Sequence, residues 1–170
     1  MIHVVLYEPE IPQNTGNIMR TCAASGAQLH LIEPLGFILD EKRVKRSVMD
    51  YSDDLVLRRH VDWEAFVAQA TGPMFFLTRY GEYTHSDFDY AAIDEDIYLV
   101  FGKESTGIPK EILKANYAHC FRIPMAPSAR SMNLSNTVAI CVFEVLRQKN
   151  YEGLSRVEVQ KGKDFLKDYE

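Results

Sequence analysis

The sequence predicts an α/β domain with a mainly parallel sheet flanked by helices. Short runs rich in branched and aromatic residues alternate with segments of helical period, and this alternation is typical of parallel strands joined by helical crossovers. Some runs, notably Ile97–Phe101, are continuously apolar, as expected for central strands covered on both faces. The length of 170 residues corresponds to one domain and excludes two large ones.

Six segments have the composition of strands, and three helices are predicted between them from their end signals. One helix begins at a proline and stops before Gly26, the second starts at a capping aspartate, and the third again begins at a proline. The strands are His3–Tyr7, Gln28–Ile32, Leu55–Arg58, Met74–Thr78, Ile97–Phe101 and His119–Ile123. The helices are Pro12 to Ser25, Asp62 to Thr71 and Pro109 to Ala115.

The C-terminal part of the chain contains two further helical patterns. From Asn133 to Lys149, six apolar residues fall on one stripe of a helix. The tail from Ser155 to Glu170 also has a helical composition, but it contains Gly162 and few apolar residues. We therefore expect the tail to pack peripherally or against a partner.

Composition narrows the classes of function. Apolar residues make up 46% and charged residues 25% of the chain, which is ordinary for a globular protein. The net charge of −5 excludes a bulk polyanion-binding surface, so a nucleic-acid contact requires a local basic patch.

The cysteines and histidines do not indicate a disulfide framework or a metal centre. Cys22, Cys120 and Cys141 are odd in number and widely spaced, which favours a reduced, cytoplasmic environment. The five histidines are scattered singly, so we interpret each as a surface or packing residue and expect no metal. The N-terminus has no basic region before its apolar run, and neither an export signal nor a membrane span is expected.

Three segments contain more Gly, Asn, Ser and Arg than their structural roles require, and two of them follow predicted strands. In open α/β sheets ligands bind beyond the carboxyl ends of strands, so the two segments that follow strands could meet around one small molecule. The three segments are Asn14-Thr15-Gly16-Asn17-Ile18-Met19-Arg20, Phe101-Gly102-Lys103-Glu104-Ser105-Thr106-Gly107-Ile108-Pro109, and Ile123-Pro124-Met125 through Arg130-Ser131-Met132-Asn133-Leu134-Ser135-Asn136.

The segments favour a nucleoside cofactor without phosphates. None contains G-x-G-x-x-G or a P-loop, so the usual means of binding a pyrophosphate is missing. Taken singly, each residue has a purely structural alternative. Asn14 could cap a helix, Gly102 and Gly107 could be turn glycines, Ser131 or Asn133 could cap the long helix, and Glu104 could be a solvated carboxylate.

Taken together, the three segments resemble the motif set of the SpoU branch of the SPOUT RNA 2′-O-methyltransferases. The matching patterns are Asn14-x-Gly16-Asn17-x-x-Arg20, Phe101-Gly102-Lys103-Glu104-x-x-Gly107-Ile108, and Ile123-Pro124-Met125 with Arg130 to Asn136. The resemblance covers essentially the whole chain and leaves no extra RNA-binding domain. This minimal form resembles members that methylate the wobble nucleotide of tRNA, cytidine or uridine 34. Another tRNA position or ribosomal RNA is the alternative target.

The resemblance implies a single SPOUT-type domain over residues 1–170, with a C-terminal deep trefoil knot and a knotted cofactor-binding part at about 74–150. It implies a homodimer that binds S-adenosylmethionine and tRNA. The implied cofactor residues are Leu77, Thr78, Gly102, Ile123, Ser131 and Asn133. The implied catalytic residues are Arg20, Asn14, Glu104 and Asn133.

Methyl transfer from a sulfonium to a ribose hydroxyl depends mainly on alignment of donor and acceptor in a dry pocket. The resemblance implies Arg20 as the base or its organiser. A guanidinium stays protonated in proteins, so we expect Arg20 to act electrostatically on the flanking phosphate and the 2′-OH. Asn14, Glu104 and Asn133 are then expected to orient the ribose and Arg20.

The densest basic stretch is the predicted RNA contact. It comprises Lys42, Arg43, Lys45 and Arg46, followed by Arg58 and Arg59. A solvated helix face is the alternative interpretation. Two rival functions remain: a non-catalytic RNA-binding module, which has no need of a cofactor pocket, and a Rossmann-type oxidoreductase, which needs a Gly-rich loop where this chain has Glu8-Pro9-Glu10-Ile11-Pro12.

Overall fold

The computed structural model describes residues 1–40, 42, 46 and 55–169. The strands are β1 (Ile2–Tyr7), β2 (Gln28–Ile32), β3 (Leu57–His60), β4 (Met74–Leu77), β5 (Tyr83–Thr84), β6 (Ile97–Phe101) and β7 (Cys120–Arg122). The α-helices are α1 (Pro12–Ser25), α2 (Trp63–Val67), α3 (Lys110–Ala115) and α4 (Leu134–Gln148), with 3₁₀ turns at Tyr90–Ala92 and Tyr117–His119.

The strands form a parallel sheet in the order β3-β2-β1-β6-β4-β7-β5. Each neighbouring pair is parallel, as in the register that aligns Val4 with Leu29 on one side and with Leu99 on the other. The predicted α/β class with a parallel sheet is therefore confirmed. Because β6 lies between β1 and β4, the loop after β6 is brought next to the start of α1.

The two faces of the sheet carry separate hydrophobic layers. Val4 and Leu6 of β1 point to the face covered by α1 and α4, whereas Val5 points to the face covered by α2 and α3. All residues of β6 are buried, as its apolar sequence predicted. This arrangement holds the carboxyl ends of the central strands rigidly at one edge of the sheet.

Most predicted elements are confirmed within two residues. The helix predicted at 133–149 spans Leu134–Gln148 because Asn133 caps it and Lys149 ends it. The predicted strand at 55–58 lies at Leu57–His60, since its pairing with β2 extends to Ile32. The helix predicted to reach Thr71 ends at Val67, where i→i+3 hydrogen bonds tighten the chain into turns. The two-residue β5 was not predicted.

The prediction of a C-terminal helix is wrong. Residues 155–169 form turns and bends. The Glu158 carboxylate accepts hydrogen bonds from the backbone N–H groups of Gln160 and Gly162, both at 3.0 Å, and Gly162 has a φ of 89°. This local side-chain bonding competes with a helical turn. The apolar side chains of the tail, such as Leu166, remain exposed.

Three histidines that the sequence analysis treated as isolated form a hydrogen-bonded relay inside the β1–β3 half of the sheet. His3 Nδ1 lies 2.8 Å from His30 Nε2, and His30 Nδ1 lies 2.9 Å from His60 Nε2. All three are buried, and Tyr98 stacks on His3 with ring centroids 4.3 Å apart. At one end, His3 Nε2 contacts the Asp96 carboxylate at 3.3 Å. We call the row His3–His30–His60 the histidine relay.

The described part of the chain contains neither a membrane-spanning helix nor a group of metal-ligand side chains. None of its helices has the length and apolar character needed to cross a membrane. No three His, Cys, Asp or Glu side chains within it are grouped as metal ligands would be.

Candidate active site

Polar loops from three neighbouring strands surround one cavity of about 670 Å³. The loops follow β4, β6 and β7, whose carboxyl ends meet at the same edge of the sheet. Thr78 N–H donates to the Phe121 carbonyl at 2.9 Å, which ties the loop after β4 to β7. The start of α1 closes one side through Ile11 and Asn14. The volume is in the range of small-molecule sites.

The cavity collects nearly all of the residues that the sequence singled out. The six predicted cofactor residues line it: Leu77, Thr78, Gly102, Ile123, Ser131 and Asn133. Of the predicted catalytic residues, Asn14, Glu104 and Asn133 also line it. Arg20 does not: it is exposed on α1 and outside the lining.

Gly102 is a glycine because two backbone segments approach each other there. A Cβ at this position would overlap the carbonyl carbon of Gly107 and the amide nitrogen of Ile108. Gly107 has a φ of 74°, and its N–H donates to the Lys103 carbonyl at 2.8 Å. The loop therefore folds tightly on itself beside the cavity. The alternative interpretation of Gly102 and Gly107 as turn glycines is consistent with this geometry.

Glu104 binds the beginning of α1 from the opposite loop. Its carboxylate accepts the backbone N–H groups of Glu10 at 2.9 Å and Ile11 at 3.2 Å, and Asn14 Nδ2 at 3.3 Å. The N-cap residue Ile11 has no capping side chain of its own. A carboxylate also complements the positive end of the helix dipole. Glu104 is thus a structural acceptor rather than a solvated carboxylate.

Asn14 joins the three motifs in one chain of hydrogen bonds. Its amide nitrogen donates to Glu104, and its amide oxygen accepts Asn133 Nδ2 at 2.9 Å. Asn133 Oδ1 in turn accepts the Ser135 N–H at 2.9 Å, so the proposed cap of the long helix is real. We call the chain Glu104–Asn14–Asn133 the asparagine bridge. It fixes the distances between the first turn of α1, the loop after β6 and the start of α4.

Two more contacts clamp the loop after β6 to the loop after β1. Glu10 accepts hydrogen bonds from Ser105 Oγ at 2.7 Å and from Ser105 N–H at 3.0 Å, which lower the pKa of Glu10. Lys103 Nζ lies 2.8 Å from Glu8 Oε2, and this hydrogen bond raises the pKa of Lys103. Both contacts lie where a dinucleotide-binding domain would carry its phosphate loop.

Four exposed basic residues lie at the cavity, and the sequence analysis had singled out only Arg130 among them, as part of the third motif. They are Arg79, Lys110, Arg122 and Arg130. Arg79 and Arg122 were detectable as single cations at or just after strand ends, a weak signal. Among the predicted RNA residues, Lys42 and Arg46 are exposed and lie outside the lining, whereas Arg43 and Lys45 lie outside the described residues.

The comparison with protein families identifies the motif set. Residues 1–143 match the model of the SpoU rRNA Methylase family. The chain belongs to this family. The predicted resemblance is therefore confirmed, and the oxidoreductase alternative is excluded.

Relatives within the SpoU family cover nearly the full chain. The tRNA (cytidine(34)-2′-O)-methyltransferase of Escherichia coli K12 is 49% identical over 156 residues, which are 90% of this chain and 97% of the relative. A solved structure described as giving insight into the 2-OH methylation of C/U34 on tRNA matches with a TM-score of 0.77 and 41% identity. The match covers 88% of this chain and 91% of the chain in that structure.

A more distant SpoU structure contains a ligand. The methyltransferase AviRb from Streptomyces viridochromogenes, solved with the cofactor AdoMet, has a TM-score of 0.66 and 28% identity. It covers 87% of this chain and 57% of its own length. Within the family this fold therefore accommodates AdoMet.

Proposed function

We propose that this protein transfers a methyl group from S-adenosylmethionine (AdoMet) to the ribose 2′-OH of the wobble nucleotide of tRNA, cytidine or uridine 34. The observation that carries the proposal is the cavity in which all three SpoU motifs meet. The similarity over nine-tenths of the chain to the Escherichia coli tRNA (cytidine(34)-2′-O)-methyltransferase supports the tRNA target.

The cavity fits AdoMet, a nucleoside cofactor without phosphates. Gly102 lines the cavity where the loop after β6 folds closely on itself. Leu77 and Ile123 supply apolar walls, and Ser131 and Asn133 supply polar groups. When bound, AdoMet supplies an electrophilic methyl group on a sulfonium. These residues would hold it within the cavity.

The residues of the chain act mainly by alignment. Bound AdoMet would supply the methyl group to the ribose 2′-oxygen, which would lose its proton, and the loops of the chain would position the 2′-OH for this transfer. The asparagine bridge keeps the loops in register, because Asn14 contacts both Glu104 and Asn133. Glu104 is committed to backbone N–H groups, so we assign it to positioning rather than to proton abstraction.

We propose a homodimer in which the partner's Arg20 completes each site. Arg20 lies outside the cavity of its own chain, which supports delivery from a second copy. The helix α4 exposes Ile140 and Phe143, at 37% and 43%, and a dimer interface would cover them. A guanidinium brought to the reacting ribose would stabilise charge on the 2′-oxygen and on the adjacent phosphate.

Further parts of the prediction belong to the same proposal. We infer that residues 1–170 form one domain and that its knotted cofactor-binding part lies at about residues 74–150. The passage of the segment after β7 beside the loop after β6, before α4 returns to pack on α1, supports the knot. We also propose a cytoplasmic location, consistent with the free, buried thiols of Cys22, Cys120 and Cys141.

We retain Lys42, Arg43, Lys45 and Arg46 as a proposed contact to tRNA. Lys42 and Arg46 are exposed, which supports the proposal. Replacing all four with glutamine is expected to weaken tRNA binding and flatten its salt dependence while AdoMet affinity stays unchanged.

The decisive experiment measures transfer of a labelled methyl group from AdoMet to unmodified bulk tRNA, followed by nuclease mapping of the modified nucleotide. Methylation of nucleotide 34 is the expected result. Methylation of another tRNA position or of ribosomal RNA alone would refute the wobble target but keep the chemistry. A protein that binds tRNA but does not bind AdoMet would be a non-catalytic RNA-binding module.

A further inference from the structure

The exposed rim of the cavity concentrates positive charge on a chain whose net charge is −5. We define the cationic rim as Arg79, Lys110, Arg122 and Arg130, all of which are exposed and line the cavity. Within residues 1–40, 42, 46 and 55–169, none of the four has an ion-pair partner. Four uncompensated cations around one opening predict an anionic ligand.

The one acidic side chain among the described residues that line the cavity is already hydrogen-bonded. Glu104, which also lines the cavity, accepts the backbone N–H groups before α1, and Glu8 is paired with Lys103. The single carboxylate of AdoMet would balance only one of the rim charges. The remaining charges match a ligand with several anionic groups in a row, such as the phosphates of a nucleic-acid strand.

An aromatic ring lies among these cations. Tyr80 is 58% exposed and follows Arg79 at the end of β4. Arg79 Cζ is 5.6 Å and Lys110 Nζ is 5.8 Å from the centroid of its ring. Such cation–π contacts orient the ring without burying it. An exposed ring beside phosphate-binding cations is the arrangement that binds unpaired bases by stacking.

We propose that the cationic rim and Tyr80 form the binding site for the unpaired RNA strand that flanks the target nucleotide. The rim cations hold successive phosphates, and the ring of Tyr80 stacks against a base next to the target. The inference rests on the proposed function and deepens it, because it assigns the unpaired strand to the cavity rim, in addition to the tRNA contact proposed at residues 42–46.

The first test removes two rim charges and measures tRNA affinity as a function of salt. In the double variant Arg122→Gln/Lys110→Gln, the slope of log affinity against log salt is expected to fall in magnitude by about 1.4, the value for two single-strand phosphate contacts. The control Arg156→Gln/Lys163→Gln removes the same charge from the exposed region after α4 and is expected to keep the wild-type slope.

The second test separates stacking from charge. Tyr80→Ala is expected to raise the dissociation constant for unmodified tRNA about tenfold, whereas Tyr80→Phe keeps the ring and the wild-type value. Tyr169→Ala removes another exposed ring, at 72%, from the tail and serves as the control. Equal affinities for Tyr80→Ala and the wild type would overturn the stacking assignment.

AdoMet affinity, measured by calorimetry on the same variants, distinguishes the ligands. We expect it to be unchanged. If it falls while the salt slope for tRNA stays that of the wild type, the rim binds the carboxylate of the cofactor and the proposal is wrong. If the wild type binds tRNA through the rim but methylates only another RNA, the proposed wobble target fails and the rim assignment stands.

Discussion

The two halves of the sheet both bury polar side chains, but they use them differently. In the β1–β3 half, the histidine relay is buried and its rings pack against those of Phe66 and Tyr98. In the half that contains β4, β6 and β7, the asparagine bridge borders an open cavity. The first arrangement stabilises strands against one another, and the second keeps a space of defined shape.

The connectivity of the two networks also differs. The relay joins residues on adjacent strands, 27 and 30 positions apart along the chain. The asparagine bridge joins residues 90 and 119 positions apart, from loops that meet only when the whole sheet is assembled. Damage to the bridge should therefore affect the proposed function more than damage to the relay, which should affect stability alone.

The largest expected effect comes from crowding the tightly folded loop after β6, which lines the cavity. In Gly102→Ala, the new methyl group would overlap the backbone of Gly107 and Ile108, so the loop has to move. We expect the free energy of unfolding to fall by about 3 kcal/mol, the upper end for overpacking, and AdoMet binding to be lost. Urea denaturation and calorimetry measure the two effects.

Gly16→Ala is the matched control for this substitution. A Cβ at Gly16 meets no atom within 4 Å, and the residue is exposed within α1. Alanine should stabilise the helix there by about 0.5 to 1 kcal/mol. Equal stability losses in the two variants would show that the crowding at Gly102 has no consequence for the cavity.

A smaller loss of stability is expected from breaking the asparagine bridge. Asn14→Ala removes the buried link between Glu104 and Asn133 and should lower the free energy of unfolding by about 1.5 kcal/mol. Misaligned loops should slow methyl transfer to tRNA by about tenfold or more. Asn17→Ala, at an exposed position of α1, is the control for stability. A normal rate in Asn14→Ala would refute the positioning role.

The sequence predicted which loops meet but not how they are joined. The loops after β4, β6 and β7 follow parallel strands, so their convergence is a general property of such sheets. The contact of Glu104 with the start of α1 depends on β6 lying beside β1, an order that periodicity does not encode. The same holds for His3 and His30, whose meeting requires the register of two strands.

The errors have a local physical cause as well. The tail has helical composition, but the Glu158 carboxylate binds the backbone N–H groups that a helix would need to satisfy differently. The cationic rim escaped prediction because its members come from four separate places in the chain. These cations are far apart along the sequence, and only the folded structure brings them together as one patch.

The relay half is tested by the dependence of stability on pH. Burial, with the neighbouring His3 and His60, lowers the pKa of His30 to about 3. The unfolded chain binds a proton near pH 6.5 that the folded chain excludes, so stability is complete above pH 6.5 and falls as the pH drops toward 3. Between pH 7.5 and 5.5, His30 should account for about 1.3 kcal/mol of the loss.

Two variants isolate this contribution. His30→Gln removes the titrating ring, so its stability should decline less than that of the wild type over this pH range. His119→Gln replaces an exposed histidine and should follow the wild type. Parallel pH curves for the wild type and His30→Gln would mean that the relay is not neutral in the folded state.

The smallest effect is expected in the tail, which neither network contacts. The apolar side chains Phe165, Leu166 and Tyr169 are exposed at 40%, 83% and 72%. A chain ending after Glu158 keeps the contacts of Arg156 with Asn150 and should unfold with a free energy within about 0.5 kcal/mol of the full chain. A larger loss, together with dissociation of the proposed dimer in sedimentation experiments, would place the tail against the partner subunit. Contacts within one chain would not explain that loss, because these three side chains are exposed there.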